Sequence, residues 1–388
     1  MKSSMRQSWL VNLLMALLLL ASGCDSDVKN IEHLNYVTAI GVDYRDGQVH
    51  VYIQFIDMQS EAKTSEGRKE GARVWIGEGA GRNFEEAVFQ IYQSAQERIY
   101  WGHTTALVFS ESLLKHGVEA VYDSITRYSE FRYTPWVYST RGSVKAILQT
   151  KAFYDQSPLN TILHVPEGIY AQTSIIESIK LHRFVRELRE PGYTSCIPTL
   201  ALDKRHWSQN DKKKNMLMID GAEFYKDGKL KGFVPIKDLT GLRWFQRETI
   251  RAGVSVPSPE EPSVQVIVNH PKSKLTRVQG GAYPKFNISV RGKGYIVNRV
   301  DNTLTDFQQL TEATENAIKK EIQQLYDMSV KRKLDIMNME YNLFRHHYVE
   351  WAAEDNWDSR LLNGEAIQQF DVHIAIKHAS AVKNQRKE

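Results

Sequence analysis

Apolar and polar positions alternate through Leu34 to Phe55, LNYVTAIGVDYRDGQVHVYIQF, and the alternation breaks only at Asp46-Gly47. A period of two on either side of an Asp-Gly pair predicts a β-hairpin, because both central residues of a tight hairpin turn take positive φ. The next run, EAKTSEGRKEGA (61–72), is polar and reads as a loop. In RVWIGEGAGRNFEEAVFQIYQSA the pattern predicts a strand, a glycine turn and a helix capped by Asn83, with Glu86 three residues on as its capping partner. TTALVFSESLLKHGVEAVYDSITRY repeats strand then helix, and YTPWVYSTRG supplies another strand.

From Tyr193 to about Lys214, with Pro198 and the run Lys212, Lys213, Lys214, the pattern lapses and reads as a crossing between domains. NMLMIDGAEFYKDGKLKGFVP is a second hairpin, turning at Asp227-Gly228, and the proline cluster VPSPEEPS that follows marks a linker or loop edge. SVQVIVNH, KLTRVQ and PKFNISVRGKGYIV read as strands. A long helical region is expected from about Leu304 to Ala353, with Ile318, Ile322 and Leu325 on one stripe. In QQFDVHIAIKHA, Phe370, Val372, Ile374 and Ile376 share one face of a final strand, and the basic tail beyond it is expected to lie outside the fold. The pattern predicts an α+β chain with mixed and antiparallel sheets and packed helices in three units: 24–195, a hairpin-rich 196–262, and 263–388 with strands, the long helical region and the last strand.

Ahead of all this, Lys2 and Arg6 precede an apolar run from Trp9 to Ala21 broken only by Asn12, and small residues lead to Cys24. Crossing a bilayer takes roughly 20 apolar residues, so the run fits a secretory leader, 1–23, better than a membrane span. Leu20-Ala21-Ser22-Gly23-Cys24 resembles a bacterial lipobox, with Ala21 where Leu is usual. Cys24 is therefore the expected lipid attachment site and the bilayer an expected partner. Each buried methylene contributes about 0.8 kcal/mol, so several acyl chains on one cysteine anchor a protein firmly.

Composition narrows the function. Lys and Arg number 50 against 46 Asp and Glu; without the leader the basic count is 48, a net charge of +2, too weak a bias to imply nucleic acid. Two cysteines, one of them Cys24, leave Cys196 without an internal disulfide partner, so packed cores must supply the stability.

Candidate chemistry is sparse. GEGAGR (77–82) lies where a dinucleotide loop would, but it lacks the full spacing, and Glu78, Glu85 and Glu86 would crowd a phosphate. Adjacent His346 and His347 point about 100° apart on a helix and lack a metal-site spacing. His103 reads as a turn residue and Cys196 as a small core residue. No catalytic set, metal or cofactor is called for. Lys204, Arg205 and His206 with Lys212 to Lys214 are the densest basic stretch, read first as a solvated loop and second as a contact with anionic headgroups. Trp207, Trp244, Phe245, Trp351 and Trp357 are expected in cores.

The order of motifs resembles the Ger(x)C family, the C subunits of bacterial spore nutrient-germinant receptors. It is carried by the lipobox cysteine, by VTAIGVDY with Gly41 and Asp43, and by EEAVFQIYQSAQERIYWGHTTALVFSESLLKHGVEAVYDSITRYSEFRYTPWVY with Trp101, Glu130 and Arg132. GAEFYKDGKLKGFVPIKDLTGLRW, KLDIMNM with Asp335 and DNWDSR with Trp357 continue it. Asp25-Ser26 stands where the family commonly has Trp-Asp, and EYNLFRHHYVEW diverges. The resemblance implies a non-enzymatic, three-domain lipoprotein on the outer face of the spore inner membrane, working beside integral-membrane A and B subunits. The alternative from the residues is an extracytoplasmic solute-binding lipoprotein.

Overall fold

The computed structural model describes residues 34–56, 73–281, 283–301 and 303–377. The leader with Cys24, the polar run 61–72 and the basic tail lie outside them.

The larger sheet takes strands from well past the first unit expected from sequence. Its members are β1 (Leu34–Arg45), β2 (Gln48–Ile56), β3 (Val74–Gly81), β4 (Arg98–Tyr100), β5 (Ala106–Ser110), β6 (Trp136–Thr140), β7 (Ile179–Lys180) and β8 (Ser195–Asp203). A two-stranded ribbon follows, β9 (Ser208–Gln209) with β10 (Lys212–Lys213), and then β11 (Met216–Lys226) and β12 (Lys229–Pro235) return to the sheet. The strand order is β12-β11-β8-β6-β5-β1-β2-β3, with β4 beside β1 and β7 beside β6. β1, β5, β6 and β8 are parallel neighbours, flanked by antiparallel hairpins. Both Asp-Gly turns form as expected, with φ of 53° and 76° at Asp46 and Gly47 and 51° and 68° at Asp227 and Gly228.

The segment expected as a separate middle unit is therefore divided. Ser195–Asp203, expected as a crossing, is a sheet strand whose Thr199 pairs with Ser139, and the hairpin β11–β12 completes the same sheet. VPSPEEPS is a loop edge rather than a linker, since Pro257 and Pro262 face each other at the end of one hairpin. That hairpin opens a second sheet, β13 (Arg251–Pro257), β14 (Pro262–Val278), β15 (Lys285–Arg299) and β16 (Ile367–Lys377), in sequential order with only the last pair parallel. The two stretches expected as separate strands, SVQVIVNH and KLTRVQ, are one strand whose register slips between Asn269 and Lys272.

Helices cover both faces of the larger sheet. On one lie α1 (Phe84–Tyr92), α2 (Glu111–His116) and α3 (Glu119–Ile125). With them packs α6 (Leu181–Arg189), whose Leu181 and Phe184 join the same core; on the other face is α4 (Val144–Leu148), while α5 (Glu167–Gln172) buries no side chain. Asn83 caps α1 as expected, its Oδ1 accepting from the Glu86 amide at 2.9 Å. The glycines before it make no turn: Gly77, Gly79 and Gly81 belong to β3, and a Cβ on Gly79 would sit 2.0 Å from the Ala87 carbonyl oxygen. They let the helix lie back on its own strand.

The expected long helical region is broken into α7 (Phe307–Arg332), α8 (Met339–His346), α9 (Tyr348–Trp351) and α10 (Trp357–Leu361). The break falls where Lys333 and Asn338 take left-handed conformations, with φ of 52° and 55°. Ile318, Ile322 and Leu325 form the buried stripe of α7, packed with Val254, Val266 and Ile288 of the second sheet. Each such side chain contributes about 1.5–3 kcal/mol on burial. β11 serves two cores, with Tyr225 in that of the larger sheet and Ala222 and Phe224 in that of the second.

Candidate functional site

The motif residues singled out in the sequence separate into two places. Gly41, on β1, sits under α4; a Cβ there would lie 2.2 Å from Val144 Cγ1, so the helix approaches only because the side chain is absent. Asp43, two residues on, accepts from Ser112 Oγ at 2.8 Å and from the Tyr44 amide at 2.8 Å. Burial opposes its ionisation, but hydrogen bonds from Ser110, Ser112 and the Tyr44 backbone outweigh it and hold the carboxyl below its usual range. Trp101 is buried against Tyr128 and Phe84 and donates from Nε1 to the Tyr92 hydroxyl at 3.1 Å. Glu130 accepts from Ser129 Oγ at 3.0 Å, and Arg132 is exposed. These five residues lie in or on the larger-sheet unit.

Asp335 and Trp357 belong to the joint between the two sheets, where the structure adds residues that sequence reasoning missed. Lys226, the last residue of β11, is 4% exposed, and its Nζ donates to Glu340 Oε2 at 2.5 Å and Asp358 Oδ1 at 2.7 Å. Burial disfavours the ammonium, but the hydrogen bonds and charges of Asp358 and Glu340 prevail and hold its pKa above the ordinary lysine value. Trp351 Nε1 donates to Glu340 Oε1 at 3.2 Å, and Trp357 Nε1 donates to the Trp351 carbonyl at 3.1 Å. Asp335 accepts the backbone amides of Met339 and Glu340 at 3.0 and 2.8 Å and so starts α8. Burial pushes its carboxyl up to about 6, against the pull of those amides and of Lys226. One lysine of the first sheet thus sits in an acidic socket built by α8 and α10 of the second unit.

A second tie follows in the same motif. Arg243 Nη2 grips Glu321 of α7 at 2.6 and 2.8 Å, and Trp244 Nε1 donates to the same carboxylate at 2.8 Å. Gly241 lets this turn touch the helix, since a Cβ there would meet the Glu321 carbonyl oxygen at 2.4 Å. Lys226, Gly241, Arg243 and Trp244 all fall within GAEFYKDGKLKGFVPIKDLTGLRW. The motif carries several other charged residues, Asp227, Lys229, Lys231, Lys237 and Asp238 among them, so nothing in its pattern marks Lys226 and Arg243 as buried.

Beside the joint runs a cleft of about 580 Å³ between the units, bordered by Glu177, Arg183, Cys196, Arg247, Asn338 and Arg345. Its wall is internally paired: Arg183 Nε donates to Glu187 Oε1 at 2.7 Å, Arg183 also pairs with Glu177, and Ser195 Oγ donates to Glu187 Oε2 at 2.7 Å. Burial pushes the Cys196 thiol up, away from the reactive thiolate.

Other candidates stay apart. His103 is exposed at an edge contact with Tyr36, and His346 is exposed at the end of α8. Among the described residues no three His, Cys, Asp or Glu side chains are placed to hold a metal ion. Trp244 and Trp357 are core residues as expected and Phe245 and Trp351 partly so, but Trp207 is 47% exposed, because it precedes a ribbon standing off the sheet.

Residues 27–202 match the family model described as "Spore germination protein N-terminal domain", and residues 220–379 match "Spore germination B3/ GerAC like, C-terminal". The chain is similar to spore germination protein KC of Bacillus subtilis (strain 168), 24% identical over 380 residues covering 92% of each chain. It is also similar to spore germination protein B3 of the same organism, 23% identical over 352 residues covering 88% of each. A crystal structure of the GerBC protein aligns with 87% of this chain and 96% of its own, with a TM-score of 0.50 at 16% identity, a likeness of fold.

Proposed function

The chain belongs to the Ger(x)C family of spore germination proteins, and we propose that it acts as the lipid-anchored C subunit of a nutrient-germinant receptor. On this reading Cys24 carries the lipid, the body sits on the outer face of the spore inner membrane, and its work is binding the integral-membrane A and B subunits. The observation that carries it is the span of the family match, which takes in both sheets and the joint between them.

The structure suggests how such a subunit would work. No helix among the described residues is long and apolar enough to cross a membrane, so contact with membrane partners would be made from a folded body held nearby. A tether raises the effective concentration of that body at its partners, so a modest interface suffices. Lys226 in its acidic socket ties the two units, and Arg243–Glu321 fastens the turn after β12 to α7, a joint that fits one continuous surface better than two hinged lobes. The solute-binding alternative needs lobes that close on a cleft, and here the cleft wall is already paired through Arg183, Glu177 and Glu187.

Mass spectrometry of the mature amino terminus from spores, with co-purification of the neighbouring membrane subunits, tests the reading. A diacylglyceryl-modified Cys24 and retention of both subunits are expected. An unmodified Cys24, or normal receptor levels in a Cys24→Ala strain, would sink the tethering account.

A further inference from the structure

Five of the thirteen large apolar side chains that are exposed among the described residues lie together: Phe153, Tyr154, Val165, Ile169 and Trp207. Phe153 and Trp207 meet edge to face with centroids 4.6 Å apart. Tyr154 is 88% exposed and held at φ 57°, a left-handed conformation that bulky residues avoid, so the backbone is strained in the act of presenting an aromatic ring to the outside. All but Tyr154 border an open groove of about 560 Å³ floored by Met216, Met218 and Ile219 of β11.

Immediately beside the groove stands the β9–β10 ribbon. In the eleven residues 204–214 it carries Lys204, Arg205, Lys212, Lys213 and Lys214 against the one acid of its tip, Asp211. Every one of these five cations is exposed. Asp203 at the ribbon's foot is occupied by the amide of Arg205 at 3.0 Å and the ring of His206 at 2.9 Å, and Glu167, beside the groove's Pro166 and Gly168, is an exposed acid that leaves the five cations in excess.

We propose that this face lies on an anionic bilayer surface, with the aromatic rings at the headgroup level and the ribbon's cations on the lipid phosphates. Three features fit one occupant. Tryptophan and tyrosine settle at membrane interfaces because each has an apolar body and a polar tip. Lysine clusters are drawn to anionic leaflets, and the apolar floor offers a place for acyl chain ends rather than for a charged ligand. The inference rests on the membrane-bound reading above, and it adds an orientation: the body would lie down on the bilayer along the groove instead of standing off it on the tether. The ribbon sequence alone fits a solvated loop; the apolar face that the fold sets beside it changes the balance.

The test is amide hydrogen exchange on the full lipid-bearing chain bound to two kinds of vesicle, phosphatidylcholine alone and phosphatidylcholine with phosphatidylglycerol. Exchange in 152–156, 165–170 and 204–214 should slow about tenfold only on the anionic vesicles, and the slowing should fade with added salt. Lys212→Gln, Lys213→Gln and Lys214→Gln together should erase the difference, each charge being worth about fivefold in surface affinity, while exchange in the cores is unchanged. Trp207→Ser should reduce it without altering the salt dependence. Equal exchange on both vesicles, or slowing that survives the triple variant, overturns the proposal. Slowing that appears only when integral-membrane subunits are added would assign the face to a protein and also overturn it. A chain that sediments with anionic vesicles but not with phosphatidylcholine would refute the lipid anchor, while slowed exchange there would still support the lipid-facing patch.

Discussion

Replacing Lys226 by methionine keeps most of the stem and removes the ammonium that sits among Glu340, Asp358 and Asp335. Glu340, with a side chain 11% exposed, loses its 2.5 Å partner and keeps only the weaker donor Trp351. Asp358 is 40% exposed, so water rescreens it and its share is small. Taking one partner from a buried pair costs about 3–5 kcal/mol, most of it the charge left behind; with one acid buried and the other wet, the lower end, about 3 kcal/mol, is expected. Lys226 has its pKa raised in the folded state, so its contribution is fully present below the ordinary lysine value of 10.5 and is lost only as pH rises through the higher folded value. Asp335, at about 6, is ionised above neutrality. The deficit should therefore be flat between about pH 7.5 and 9. Urea unfolding followed by tryptophan fluorescence reads it, since Trp351 and Trp357 flank the socket. Lys226→Met with Glu340→Gln should recover most of the loss, because the buried partner becomes neutral while Asp335 keeps its two backbone amides and Asp358 stays partly in water. A single-variant loss below about 1 kcal/mol, or no recovery in the double variant, would refute the socket as the tie between the units.

Glu223, fully buried on β11, should make stability fall with pH. Burial pushes its carboxyl up to about 7 against the help of Ser139, so between 4.5 and about 7 the folded state keeps a proton that the unfolded chain has released. Stability drops as pH rises across that window by about 3 kcal/mol. Glu223→Gln should remove this slope and be the more stable protein at about pH 8; identical slopes in urea titrations of the two proteins would contradict the assignment. Gly241→Ala should cost about 1–3 kcal/mol, because its Cβ meets the Glu321 backbone at 2.4 Å and α7 must move. A neutral effect in the same assay would mean that the turn yields instead.

What was legible in the sequence was local. Asp46-Gly47 and Asp227-Gly228 set their turns through conformations few other pairs adopt, Asn83 and Glu86 set a helix start, and Val372 and Ile374 marked the buried face of the last strand. What the periodicity could not carry was which strands pair with which. β8 and β11 read as parts of a separate unit because their alternation describes two faces without naming the neighbour. GEGAGR looked like a turn since glycine serves both bends and close approach, and only the helix lying over Gly79 distinguishes them. At the joint, the resemblance singles out Asp335 and Trp357, but nothing in the sequence distinguishes Lys226 from the other lysines of its hairpin. Its acids lie more than a hundred residues downstream, and no spacing rule connects them.

Most of the hairpin β11–β12 falls inside the segment matched as the C-terminal family domain, yet it completes the sheet begun by the N-terminal one. The two domains are thus units of sequence and not of folding. A chain made from its amino terminus cannot close its first sheet at residue 202; β8 waits as an open edge, with apolar Ile197 and Leu200 on it, until Met216–Lys226 has followed. A chimera between relatives cut at the boundary of the two matches would divide one sheet between two parents. A cut between Trp244 and Arg251 would leave each sheet with a single parent, but the mismatch would still reach the ion pairs across the joint and the shared core where Ala222, Phe224, Val234 and Trp244 pack on the second sheet and α7.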